Sequence, residues 1–163
     1  MTYDKDASPK VQLIFSSNLN PFGFLIRLLT LSRWSHVDVI IHGQAVGANF
    51  WKGVIEMPLK ERKAKSDSWA IYEMDVIDFD TVDNVHRTVL SQLGKKYDYL
   101  GIFGYLARSD WQDTNRWFCS ELVLWAFQKQ GYKLLGNGHP PHFAAPYHLT
   151  LLPELTIKEL SDG

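Results

Sequence analysis

Hydrophobic and polar positions alternate with the period of a β-strand in several short segments of the chain. In the clearest segment, 36–41, the β-branched Val37, Val39 and Ile41 fall on one face, which is the pattern of a strand packed against a core. The other predicted strands are 11–16, 45–51, 54–57 and 69–76, with a tight turn at 42–44.

Other segments have apolar residues at helical spacing. The pair Asn20-Pro21 is typical of a helix start, and a helix with a wide apolar face is predicted from there to Leu31. A further helix, beginning at Cys119, is apolar on nearly all sides and is therefore expected to be central and buried. The remaining predictions are helices at 82–93 and 97–107, loops at 110–116 and 136–146, and a helix followed by a strand at 149–160.

The composition is that of a globular protein, because 45% of the 163 residues are hydrophobic and 13% are aromatic. This length allows one domain with a core and is too short for two ordinary ones. Strands and helices are interspersed, so we expect a single α+β domain over 1–163, with a flexible segment at 1–10.

Charge and hydropathy argue against two classes of partner. The net charge is -1, and phosphate binding needs a basic excess or stripe, so nucleic acid is not expected. One basic run, of Lys60, Arg62, Lys63 and Lys65, is interpreted as a solvated turn or helix end. No stretch approaches the roughly 18 apolar residues of a membrane helix, so stable membrane insertion is not expected. The first residues lack the pattern of a secretory signal, so the chain is expected to be cytoplasmic as synthesised.

Cys119 is the single cysteine and stands where a polar segment meets the buried helix. A lone cysteine is most often a small buried hydrophobe, but this position adds a chemical advantage. The first N–H groups of a helix lack partners within it, and the helix N-terminus has a partial positive charge. Both features favour a thiolate, and the same N–H groups suit an oxyanion. The position therefore favours Cys119 as a nucleophile.

A thiolate nucleophile needs an imidazole, and the chain has six histidines. His36 is favoured because it begins an apolar strand whose edge can face a cleft. The alternative is a histidine at a strand end with an ordinary hydrogen-bond partner. A zinc site at His139, His142 and His148 is a weaker hypothesis, because two prolines separate the first pair and no second cysteine is available. We expect neither a metal nor another cofactor.

Three motifs carry a resemblance to a known family. A Ser-His-Val motif begins at Ser35, a Tyr-Asp pair stands at Tyr97, and a Cys-Ser-Glu-Leu-Val motif begins at Cys119. The histidine precedes the cysteine by 83 residues (119 − 36 = 83). In this order the motifs resemble the circularly permuted NlpC-like group of the papain superfamily, whose relatives include the lecithin retinol acyltransferase family. The resemblance extends over about 20–131.

The resemblance implies both a fold and a site. The fold is papain-like α+β, with a small antiparallel sheet packed against helices and the nucleophile at the N-terminus of a buried helix. In the site, Cys119 is the nucleophile and His36 is the base that later protonates the leaving group. Tyr97 is implied as a pocket wall. Trp34, Trp51 and Trp117 flank the motifs and are interpreted as lining an aromatic cleft. Core packing is the alternative explanation for these aromatic residues.

The sequence departs from the family pattern at the position of the residue that orients the imidazole. The family places a polar residue on the strand after the histidine strand, whereas the matching segment Val46-Gly47-Ala48-Asn49 is small until its last residue. A hairpin turning at Gly43-Gln44 puts Trp51 opposite His36 and Asn49 one diagonal step away on the same face. Asn49 is therefore the first candidate for the orienting residue.

Three alternatives to Asn49 remain open. Asp38 shares the face of His36, about 6.6 Å along the strand, and is the second candidate. Glu56 is more distant. In the third alternative, a backbone carbonyl or a water holds the ring and the site is a Cys-His dyad.

The expected function is that of a cysteine hydrolase. It would cleave a small amide or peptide bond, for example of the cell-wall type, through a thiolate and an acyl-enzyme intermediate. A lipid or ester acyl hydrolase or acyltransferase with the same dyad is one alternative, and an inactive binding protein on this fold is another. The expected partner is a small peptide or acyl substrate.

Overall fold

The fold is described from a computed structural model of the chain, which covers residues 8–18, 21–30, 32–98, 116–135 and 144–161. The strands are β1 (Lys10–Ser17), β2 (His36–Ile41), β3 (Gln44–Asn49), β4 (Gly53–Pro58), β5 (Ser68–Asp75), β6 (Lys96–Tyr97), β7 (Arg116–Trp117) and β8 (Leu155–Leu160). The helices are α1 (Pro21–Thr30), α2 (Leu59–Ala64), α3 (Phe79–Leu90), α4 (Cys119–Gln128) and α5 (Pro146–Thr150).

Six of the strands form one antiparallel sheet in the order β4-β3-β2-β1-β5-β8. The strand that begins with His36, β2, therefore lies inside the sheet, between β1 and β3. A separate two-stranded pair, β6 and β7, is parallel and sets Tyr97 beside Trp117. This pair leads directly into α4 and its first residue, Cys119.

The main core lies between one face of the sheet and the helices α3 and α4. Val37, Val39 and Ile41 of β2 are buried in this core, and α4 is buried along nearly its whole length. A smaller cluster, which includes Ile40, lies on the other face. Because successive side chains of a strand alternate between faces, His36 and Asp38 belong to the face of Ile40. The mixed architecture, with an antiparallel sheet and helices, confirms the predicted α+β fold class.

The hairpin of β2 and β3 differs from the predicted register. Its turn is the two-residue His42-Gly43, whose φ angles are both positive, at 50° and 77°, as a type I′ turn requires. Val39 consequently pairs with Val46, whereas a turn at Gly43-Gln44 would pair Val39 with Ala48. The predicted register is therefore wrong by two residues, a shift that leaves each side chain on its predicted face.

The helix α2 stands where the basic run was interpreted as a solvated turn or helix end. Lys60 and Lys65 are exposed, in keeping with that interpretation. For Arg62 it is wrong, because this residue is only 5% exposed. The pattern of charges along the chain does not reveal that Arg62, on a helix, pairs with Asp38 on the strand β2.

The later predictions are tested only in part. Of the predicted helix at 97–107, Tyr97 belongs to β6 and 99–107 lies outside the described residues, as do most of the predicted loops at 110–116 and 136–146. The predicted final helix and strand are confirmed as α5 and β8. No helix in the described part of the chain is long and apolar enough to cross a membrane.

The close approach of β4 to the segment after α3 leaves no room for a side chain at Gly53. Gly53 has a φ of 74°, and a Cβ there would overlap the carbonyl oxygen of Lys95, which accepts the hydrogen bond of Val54 at 2.8 Å. We expect Gly53→Ala to lower the free energy of unfolding by more than the about 1–2 kcal/mol of left-handed strain alone, measured by urea denaturation. Gly43→Ala is the control, since its φ is 77° and nothing lies within 4 Å of the added Cβ. Equal losses in the two variants would contradict the close approach.

Candidate active site

The carboxylate of Asp38 lies between two cationic side chains. Its Oδ1 is 2.7 Å from Nε2 of His36, and its Oδ2 is 2.7 Å from Nε of Arg62. The Asp38 side chain is fully buried, and those of His36 and Arg62 are 12% and 6% exposed. Asp38 thus bridges the start of β2 to the helix α2, away from bulk water, where charge interactions are stronger than at the surface.

A glycine on the neighbouring strand makes room for this bridge. A Cβ at Gly47 would overlap Oδ1 of Asp38 and would lie 3.2 Å from the carbonyl oxygen of Val37. The helix α2 packs against β3 and β4, so Arg62 reaches β2 across the strand that carries Gly47. The small residues of segment 46–49, where the family resemblance expects a polar one, therefore leave space for a carboxylate that comes from β2 itself.

The charges of this group determine its protonation. Burial lowers the pKa of His36, the charge of Asp38 raises it, Arg62 lowers it and a Cys119 thiolate raises it, and the net result is a pKa of about 9. Burial alone would raise the pKa of Asp38, but the charges of His36 and Arg62 outweigh burial and hold this pKa below its usual range. At neutral pH His36 is therefore an imidazolium, and its Nε2–H donates to an ionised Asp38.

Cys119 is the first residue of α4 and is 4% exposed. The helix packs against β2 and β3, and Cys119 lies close enough for its thiolate charge to act on His36. The two residues that the sequence selects are far apart in the chain, and the fold places them within electrostatic range of each other.

Two polar side chains fix the start of α4. The backbone N–H of Phe118 donates to Oε2 of Glu121 at 3.2 Å, as in the second half of a capping box. Ser120 Oγ donates to the carbonyl oxygen of Ala144, which ties the helix start to the segment before α5. Burial raises the pKa of Glu121, the Phe118 hydrogen bond lowers it, and nearby Asp98 raises it again, to about 7.

A pocket opens beside His36 and combines polar with aromatic walls. The polar walls include His36, Asn49 and Arg62, and the aromatic walls are Phe50, Trp51 and Tyr97. Tyr97 packs edge-on against Phe118, with ring centroids 5.9 Å apart, so this wall continues toward the residue that precedes Cys119.

Comparison with known proteins identifies the family and the fold. Residues 10–138 match a family described as permuted papain-like amidase enzyme, YaeF/YiiX, C92 family. The chain belongs to this family. Among solved structures it is similar to the metalloprotein YiiX from Escherichia coli O157:H7, with a TM-score of 0.71 and 17% identity, over 94% of this chain and 98% of that one. Among curated proteins, no sequence matches it significantly.

These findings confirm one part of the predicted family resemblance and leave another part untested. The permuted papain-like family and fold are confirmed. The narrower NlpC-like grouping and the relation to the lecithin retinol acyltransferase family stay predictions. At 17% identity, the likeness to YiiX shows the fold and assigns no residue of the site.

In this member of the permuted papain-like family, Asp38 provides the hydrogen bond to His36 that the structure shows. Asn49, the first candidate, lines the pocket, but its Oδ1 accepts the backbone N–H groups of Trp51 and Lys52 at 3.0 and 3.2 Å. Asn49 thus stabilises the turn that follows β3. Glu56 is exposed on β4.

The aromatic residues expected around the cleft separate into two groups. Tyr97 lines the pocket, whereas Trp34 and Trp117 are each 5% exposed and lie in the main core. Trp117 packs against Trp125, with ring centroids 4.7 Å apart. Trp51, the third tryptophan expected at the cleft, lines the pocket and is 79% exposed.

The alternative zinc site stays an untested hypothesis. These contain no group of three or more His, Cys, Asp or Glu side chains that could hold a metal ion. His139 and His142 lie outside the described residues. Nδ1 of His148 accepts the backbone N–H of Ala145 at 3.0 Å.

Removing the charge of Asp38 should lower the pKa of His36. Asp38→Asn keeps the size of the side chain but removes the charge that raises the pKa of His36 to about 9, so the ring should titrate at lower pH in a histidine NMR titration. Glu56→Gln, which removes an exposed carboxylate on β4, is the control and should leave the titration unchanged. An unchanged pKa of His36 in Asp38→Asn would show that the bridge does not set it.

The raised pKa of Glu121 predicts that this residue's contribution to stability falls as the pH rises. Its folded pKa of about 7 lies above the ordinary 4.5, so its stabilising contribution is fully present below about pH 4.5 and is lost as the pH rises through about 7. Glu121→Gln removes this titration, so its free energy of unfolding relative to the parent should increase over that range, by at most about 1.4 kcal/mol per pKa unit.

The measurement for Glu121 is urea unfolding at several pH values. Glu154→Gln, which changes an exposed carboxylate, is the control and should show no such trend. A difference between Glu121→Gln and the parent that stays constant with pH would rule out the titration of Glu121.

Proposed function

We propose that this protein is a cysteine hydrolase that cleaves a small amide bond, with Cys119 as nucleophile, His36 as acid and base, and Asp38 as the residue that orients the imidazole. The observation that carries the proposal is the 2.7 Å contact of His36 Nε2 with the buried Asp38 carboxylate. Membership of an amidase family supports the reaction class.

The proposed resting state is an ion pair of thiolate and imidazolium. Because Nε2 of His36 donates to Asp38, Nδ1 is the ring nitrogen available to the thiol. An ionised Asp38 favours the imidazolium over the neutral ring. The thiolate at the first residue of α4 is favoured by the unpaired N–H groups and the dipole of the helix.

In the acylation step, the sulfur of Cys119 forms a bond to the carbonyl carbon of the substrate, and the electron pair of the C=O bond moves to oxygen. N–H groups at the start of α4 are suited to bind this oxyanion. When the C=O bond re-forms, the C–N bond breaks and Nδ1–H of His36 transfers its proton to the leaving nitrogen. The products are an amine, a thioester on Cys119 and a neutral His36.

Deacylation reverses these roles. The neutral His36 accepts a proton from water as the water oxygen attacks the thioester carbon. Collapse of the second tetrahedral intermediate breaks the C–S bond and restores the thiolate and the imidazolium. The acyl group leaves as a carboxylic acid.

One observation favours a second candidate function, an acyl hydrolase or acyltransferase acting on a lipid or ester. Trp51 at the pocket is 79% exposed, and the exposed Phe24 and Leu28 lie on α1, whose residues Gly23 and Ile26 line the same pocket. Exposed apolar side chains at the rim of a site are suited to an apolar substrate. The proposed chemistry at Cys119 would be unchanged.

The test of the nucleophile is the rate of iodoacetamide alkylation from about pH 4 to about pH 10. Cys119 is the only cysteine, so the signal has a single source. We expect rapid alkylation already at neutral pH, which His36→Ala should shift to the alkaline range of a free thiol. Asn49→Ala is the control and should behave as the parent. A thiol that is unreactive, or indifferent to His36, would contradict the ion pair.

The test of the reaction is a panel of peptides and simple amides set against thioesters and phospholipids. We expect turnover of amides, its loss in Cys119→Ala, and a decrease in kcat of about 10²-fold or more in Asp38→Asn. Turnover confined to thioesters or phospholipids would favour the second candidate. Activity that persists in Cys119→Ala would exclude both.

A further inference from the structure

Arg62 has hydrogen-bonding capacity that Asp38 does not use. A guanidinium carries five N–H donors and no acceptor. Its Nε forms the 2.7 Å ion pair with Asp38 Oδ2, but neither Nε nor the buried Nη2 makes a hydrogen bond of good geometry among the described residues. The Arg62 side chain is 6% exposed, so bulk water does not satisfy these donors. Native proteins leave few buried polar groups unpaired, and a charged one is the most costly.

Arg62 borders the pocket beside His36, so an acceptor that enters the pocket lies next to this side chain. Two other polar residues of the wall already have partners within the protein. Oγ of Ser35 accepts the backbone N–H of Asn18 at 3.3 Å, and Oδ1 of Asn49 accepts two backbone N–H groups of its own turn. Arg62 therefore stands out on this wall as a cation with an unused donor.

The local charges favour an anion at this point. The carboxylate of Asp38 contacts two cations, His36 through Oδ1 and Arg62 through Oδ2. One negative charge, that of the Asp38 carboxylate, is thus shared between the positive charges of His36 and Arg62. A guanidinium is suited to bind a carboxylate through directed, charge-assisted hydrogen bonds.

We propose that Arg62 binds a carboxylate of the substrate through its guanidinium, which makes the pocket a subsite for acidic amides. The ion pair of Nε with Asp38 holds the guanidinium beside the pocket. The aromatic walls of Phe50, Trp51 and Tyr97 contact the uncharged part of the same molecule. The identification of the ligand as substrate rests on the proposed function, whereas the carboxylate site itself does not.

The experiment compares two probes of equal size, N-acetyl-L-alanine and N-acetyl-L-alaninamide, which differ in the carboxylate. Both are titrated into the Cys119→Ala protein, which prevents turnover, near neutral pH. Binding is measured by calorimetry and by NMR of the Arg62 side-chain N–H groups. We expect the acid to bind at least ~10-fold more tightly than the amide, equivalent to about 1.4 kcal/mol, and to shift the Arg62 resonances.

Two further variants in the same background locate the effect. Arg62→Lys should abolish the preference for the acid, because a lysine lacks the planar pair of donors. Lys60→Gln removes an exposed cation from the same helix and should leave the preference intact. If Arg62→Lys does not fold, the Arg62 resonances of the parent background decide the question.

Several results would overturn the proposal. These are equal affinity for acid and amide, no binding of the acid at about 10 mM, unchanged Arg62 resonances on saturation, a preference that survives in Arg62→Lys, or tighter binding of methyl phosphate than of the acid. The outcomes also separate this proposal from the preceding one. Carboxylate binding beside an unreactive Cys119 supports the subsite without the hydrolase, and a reactive Cys119 without carboxylate binding supports the hydrolase alone.

Discussion

The buried carboxylate of Asp38 is the interaction on which the site depends. A charge removed from water requires partners, and loss of one partner typically costs about 3–5 kcal/mol. Asp38 obtains its two partners from different elements, His36 at the start of its own strand and Arg62 on α2. The position of α2 over the sheet, the orientation of the imidazole and the absence of a side chain at Gly47 are therefore parts of one electrostatic arrangement.

The nucleophile side of the site is fixed by a separate set of contacts. Helix α4 lies in the main core, its first turn is held by Glu121 and Ser120, and the aromatic wall of Tyr97 reaches the residue before Cys119. The imidazole thus belongs to an interior strand and the thiol to a buried helix. Both are rigid elements, and rigid support is what a reaction that depends on close alignment needs.

Local patterns in the sequence were sufficient for the fold class, the strand β2 and a buried helix that begins at Cys119. They were insufficient for the surroundings of His36, because those depend on contacts between distant segments. The hairpin register was missed since His42 adopts a positive φ, which few non-glycine residues do. The small residues of segment 46–49 indicated only that a polar residue is missing there, although Gly47 leaves space for Asp38. Arg62 resembled its solvated neighbours because its partner, Asp38, lies on a strand that α2 reaches only in the folded chain.

The space above Gly47 also limits how this sequence can diverge. A side chain larger than hydrogen at position 47 is compatible with a shorter residue at position 38, but not with aspartate in its present rotamer. Substitution at either position changes which substitutions are tolerated at the other, so the two sites are expected to evolve as a pair. A descendant that transferred the polar partner of the imidazole from β2 to β3 would have to pass through a form that lacks Asp38, or change both residues together.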